Sequence, residues 1–96
     1  MRIRSGVNLF HNIHKAPGGL IRADFEIRDG AYQEVCLSGD WFCYPREAAQ
    51  ALELKIQGAT IEKLQFVIEE FYGKYRVETP GITVDDWLTV LAAWPR

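Results

Sequence analysis

Between Ile21 and Arg28 the chain alternates: Ile21, Ala23, Phe25 and Ile27 are apolar, while Arg22, Asp24, Glu26 and Arg28 are charged. That period of two predicts an antiparallel strand with one face packed and the other in water. Asp29-Gly30 follows as a tight-turn pair, and Val35 and Leu37 resume the apolar face, so a hairpin is expected. A strict two-residue loop would set Phe25 opposite Glu34, whereas an odd-length loop with a glycine bulge sets residues 23 and 25 opposite Leu37 or Val35. The bulged turn is the expectation. Residues 6–15 alternate less cleanly, through Val7, Leu9 and Ile13, and are a candidate third strand or an extension of the sheet edge.

After Ser38-Gly39-Asp40 the apolar spacing changes to the helical period. Ala48, Leu52 and Ile56 share one face, Pro45 suits a first helical turn and Gly58 is placed to end the element, which predicts a helix over about 45 to 57. Thr60 is a candidate cap for a second helix, in which Leu64, Val67, Ile68, Phe71 and Tyr75 form the apolar stripe and Glu62, Glu69 and Glu70 point outward. Pro80-Gly81 breaks the chain. Thr83, followed by Asp85 and Asp86, then starts a third helix whose carboxylates suit the positive end of the helix dipole and whose Trp87, Leu88, Leu91 and Trp94 pack inward. Strands followed by helices imply an α+β fold: a small antiparallel sheet of two to three strands with three helices packed on one face.

Ninety-six residues fit one domain, 1–96, that buries roughly two-thirds of its unfolded surface. A 48% hydrophobic and 25% charged composition is that of an ordinary globular chain. No apolar run reaches the roughly 20 residues of a membrane helix, and the amino terminus lacks the apolar core of a signal peptide, so a cytoplasmic protein is expected. A net charge of −2 argues against a dedicated nucleic-acid binder.

The two cysteines, Cys36 and Cys43, match neither a redox pair nor a zinc set, and free thiols are expected. His11 and His14 would point to opposite faces of an extended segment, so no metal site is expected from them. There is no phosphate-loop, nucleophile-elbow or triad pattern, and no catalytic residue is assigned. Gly18-Gly19 beside Lys15 invites an anion-cradling turn, but it precedes a strand rather than the helix that supplies such amides, and a structural turn is the simpler reading. Along Trp41-Phe42-Cys43-Tyr44, alternation sends Trp41 and Cys43 one way and Phe42 and Tyr44 the other. Either all four fill the core or an aromatic patch is left for a partner.

The run HKAPGGLIRADFEIRDG at 14–30, V-x-L-SGDWF at 35–42, Pro45, LE-x-x-IQG ending at Gly58 and GITVDDW at 81–87 together resemble the C-terminal domain of lipoate-protein ligases, over roughly residues 14 to 91. In that family a large catalytic domain uses ATP to activate lipoate as lipoyl-AMP and transfers the lipoyl group to a lysine of a lipoyl-domain protein. The small domain assists activation, and in some prokaryotes, notably certain archaea, it is a separate polypeptide. The resemblance implies a non-catalytic accessory subunit whose partner, the catalytic subunit, holds lipoate and ATP with Mg. It further implies that Lys15, Pro17, Gly18, Gly19 and Leu20 lie near the adenylate against that partner, with Lys15 offering a mobile charge to a carboxylate or phosphate. A solvated loop lysine is the alternative. Gly39, Asp40, Trp41 and Phe42 would be a structural turn or interface, with Asp40 tying its own loop through backbone N–H groups. A stand-alone protein- or ligand-binding regulatory module is the alternative function.

Overall fold

The computed structural model describes residues 7–93. Three ten-residue strands, β1 (Val7–Ala16), β2 (Gly19–Arg28) and β3 (Ala31–Asp40), form an antiparallel meander in the order β1-β2-β3. Three helices follow, α1 (Ala48–Ile56), α2 (Leu64–Lys74) and α3 (Val84–Val90), and the buried side chains of the sheet face them. The α+β order read from the sequence is the one observed. No helix among the described residues is long and apolar enough to cross a membrane.

Ile21, Ala23, Phe25 and Ile27 of β2 are all buried, as their alternation predicts. The turn after them differs from expectation. Asp29 and Gly30 form a strict two-residue loop between the paired Arg28 and Ala31, with φ of 53° and 79°, the doubly positive pattern of a tight hairpin turn. The bulge lies farther along β3. Asp24 pairs with Cys36 but Glu26 pairs with Gln33, so Glu34 and Val35 together face Phe25, and Glu34 absorbs the extra residue at φ 52°. This restores Leu37 opposite Ala23 and leaves Tyr32, opposite Ile27, on the buried face as well.

Strand β1 is inverted relative to its apolar residues. Leu9 and Ile13 are each 63% exposed on the open face, while Phe10, Asn12, His14 and Ala16 face the helices. The sequence misleads because two inward positions are polar and find partners in and after α3. Asn12 Nδ2 donates to the Val90 and Ala92 carbonyls at 3.0 Å, and His14 Nε2 meets Asp86 Oδ1 at 2.8 Å. Phe10 stacks on Phe25 with centroids 5.1 Å apart.

Pro45 stands before α1 rather than in its first turn, joined to Tyr44 by a cis peptide bond. Gly58, at φ 84°, does follow the helix end. Thr60 makes no side-chain cap bond; a short 3-10 turn, Ile61–Lys63, intervenes before α2. Leu64, Ile68 and Phe71 bury the stripe of α2, whereas Tyr75 lies past the helix end and is exposed. Thr83 caps α3 in a reciprocal box with Asp86, and Trp87 and Leu91 are fully buried. Trp94 and Gly6 lie outside the described residues.

Candidate functional site

Three segments converge at one end of the sheet: the β1–β2 turn, the exit of β3 and the loop before α3. Ala16 pairs with Gly19 around the Pro17-Gly18 turn, and Leu20 pairs with Asp40. The backbones meet closely. A Cβ at Gly19 would lie 1.9 Å from the Asp40 carbonyl oxygen, and one at Gly39 would lie 2.2 Å from that of Leu20. On the other side the Gly18 amide donates to the Gly81 carbonyl at 2.9 Å, and a Cβ at Gly18 would sit 2.1 Å from the Pro80 oxygen. The structure therefore joins Lys15–Leu20 to Gly39–Phe42 in one continuous surface. Pro80-Gly81, read from sequence only as a break, is its third wall; Gly81 at the head of GITVDDW was the available signal.

Lys15 is exposed on the open face of the sheet, in one cross-strand row with Leu20 and Asp40. It forms no ion pair among the described residues. The neighbouring row is Ile13, Arg22 and Ser38.

Asp40 does not tie its loop: its carboxylate makes no hydrogen bond among the described residues. Trp41 does so instead. Its Nε1–H donates to the Ser38 carbonyl at 2.8 Å, and its ring packs edge-on against the buried Trp87, centroids 5.1 Å apart. Beyond it the chain alternates as expected. Trp41 and Cys43 pack against the core, whereas Phe42 and Tyr44 are 62% and 54% exposed, their rings 6.5 Å apart and nearly parallel. Reciprocal 2.9 Å backbone bonds between Tyr44 and Glu78 brace this loop against the chain entering α3. So the four do not all fill the core: Trp41 and Cys43 do, and Phe42 and Tyr44 form an exposed aromatic patch.

Burial pushes the Cys43 thiol up, which keeps it protonated and a poor nucleophile. Both cysteines are free. The two histidines leave opposite faces of β1, each donating to a carboxylate: His11 Nδ1 to Asp24 at 2.7 Å on the open face, His14 Nε2 to Asp86 at 2.8 Å on the helix side. The Thr83 backbone N–H, followed by His14, holds the Asp86 carboxyl below its usual range. No group of three or more His, Cys, Asp or Glu suited to a metal ion occurs among the described residues.

No family model matches the chain. It is 34% identical over 77 residues, 80% of this chain and 81% of the relative, to a protein named lipoate-protein ligase A subunit 2 from Thermoplasma acidophilum. Among solved structures it is similar to a chain from an archaeal lipoylation system of the same organism, described as a bi-partite lipoate protein ligase and its E2 lipoyl domain. There the TM-score is 0.86 at 30% identity, over 92% of this chain and 99% of the other.

Proposed function

The chain belongs to the lipoate-protein ligase family, on the side of the second subunit of the bipartite enzyme, and from that membership we propose that it is the accessory, non-catalytic subunit of a two-protein ligase. It pairs with a catalytic subunit as a cytoplasmic heterodimer and is required there for the ATP-dependent activation of lipoate to lipoyl-AMP, which precedes transfer to a lysine of a lipoyl-domain protein. Lipoate, ATP and Mg sit in the catalytic subunit.

One observation carries this reading beyond family membership: the glycine-locked end of the sheet, where Lys15 and the stacked Phe42 and Tyr44 project from a backbone fixed on three sides. Exposed aromatic rings on a rigid base suit the centre of an interface, because covering them costs little side-chain freedom. Roughly 1–2 kcal/mol of hydrophobic stabilisation is available from covering the rest of Phe42, given about 1.5–3 kcal/mol for a whole large apolar side chain. Lys15, on the same rigid end, offers a positive charge on a flexible stem to an anionic group at the seam between the subunits.

Titration calorimetry of the chain with its catalytic subunit tests this directly. Binding is expected, and Phe42→Ala should weaken it by about tenfold, the equivalent of roughly 1.4 kcal/mol. No binding by the unmodified chain would contradict the proposal, and unchanged affinity of the Phe42→Ala variant would remove this end of the sheet from the interface.

A further inference from the structure

We infer that the His14–Asp86 pair is a positioning clamp for Lys15, fixing the direction in which that lysine leaves the sheet. The inference rests on the reading of Lys15 as the charge presented to the catalytic subunit, and it assigns the neighbouring, inward-facing residues a part in the same site.

The need for a clamp follows from what the hairpin tip lacks. From Lys15 to Leu20 only the Ala16 side chain is buried; Pro17 is exposed and the two glycines carry no side chain. β2 is held here by its pairing with β3 as far as Leu20–Asp40, so the edge side of the tip, Lys15 to Gly18, depends on its contacts with the helical layer. Two polar contacts do hold it, one from the loop before α3 and one from the first turn of α3. The Gly18 amide donates to the Gly81 carbonyl at 2.9 Å, and His14 Nε2 donates to Asp86 Oδ1 at 2.8 Å. The His14 and Asp86 side chains are 25% and 16% exposed, so this bond is partly sheltered from water.

Asp86 is itself fixed. Its second oxygen accepts from the Thr83 amide at 2.8 Å and from the Thr83 hydroxyl at 3.1 Å. The next residue, Trp87, is fully buried and donates through Nε1–H to the Tyr72 hydroxyl at 2.8 Å. A continuous path thus runs from the core through Trp87 and Asp86 to His14. Successive side chains of a strand leave opposite faces, so pinning residue 14 inward sets the outward vector of residue 15. His14 is thereby a positioning residue: it touches no substrate and acts through Lys15.

The test uses the assembled complex with the catalytic subunit and the variants His14→Ala, His14→Gln, Lys15→Ala and the His14→Ala/Lys15→Ala double. His14→Ala spares the Thr83–Asp86 cap and the buried Trp87, and circular dichroism of the variant checks that α3 stays folded. Hydrogen exchange over residues 15–20 should rise about tenfold in His14→Ala, as expected for loss of a sheltered hydrogen bond to a charged group. Lipoate-dependent formation of lipoyl-AMP should slow through kcat with little change in the KM for lipoate. The double variant should be no slower than Lys15→Ala, because the two residues act as one unit. His14→Gln, whose amide still donates, should recover most of the rate. Unchanged exchange in His14→Ala would overturn the clamp, and so would faster exchange with normal activation while Lys15→Ala is slow. If Lys15→Ala itself activates lipoate normally, the reading of Lys15 falls, and the clamp's role in activation falls with it.

Discussion

At Gly18 one added carbon would sit 2.1 Å from the Pro80 carbonyl oxygen, a contact that backbone alone must relieve. Gly18→Ala is therefore expected to destabilise the protein by about 2 kcal/mol or more in urea unfolding, because it forces two backbone segments apart. Gly30→Ala is the control. Its Cβ would meet nothing within 4 Å, so only the strain of a positive φ applies, about 1 kcal/mol. Equal effects of the two would contradict the interlock. The same contacts explain why the chain places Pro-Gly-Gly at the entrance of β2: the turn has to pass beneath another loop. Its Gly-Gly was legible as a tight turn, but the loop it packs against was not, since a contact between residues 18 and 81 leaves no local trace in either stretch.

Helix α3 shows how one element couples fold to site. Its seven residues are too few to be stable alone, and the Thr83–Asp86 box, the bond to His14 and the buried Trp87 make up the difference. Because the folded state holds the Asp86 carboxyl below its usual range, its stabilising contribution is present above the unfolded-state value and is lost as pH falls through the folded one. Asp86→Asn should lower stability at neutral pH and flatten the acid limb of the stability curve. An unchanged acid limb would show that other carboxylates set it. The sequence made this cap legible, as it did β2 and the stripe of α2, because each depends on residues close in the chain. It misplaced the bulge, which answers to the packing of Tyr32 and Leu37 on opposite sides of it. It also assigned the wrong face of β1, where Asn12 and His14 occupy core-side positions that a purely apolar pattern cannot reveal.

For the molecule as a whole, the helices bury one face of the sheet, while the open face and the glycine-locked end stay exposed, as do Leu54 of α1 and Phe66 of α2 on the helical side. Family membership supplies the partner's kind, and Lys15, Phe42 and Tyr44 are the surface proposed to meet it. Lys15 and the SGDWF run stood out in the sequence as separate motifs; that they form one surface, with Pro80-Gly81 as its third wall, required the fold. If the chain is the accessory subunit, activation of lipoate depends on it. The most direct measurement is lipoate-dependent conversion of ATP to lipoyl-AMP by the catalytic subunit, with and without the chain added. Activation should appear only on mixing, whereas full activation by the catalytic subunit alone would contradict a dependence on this chain.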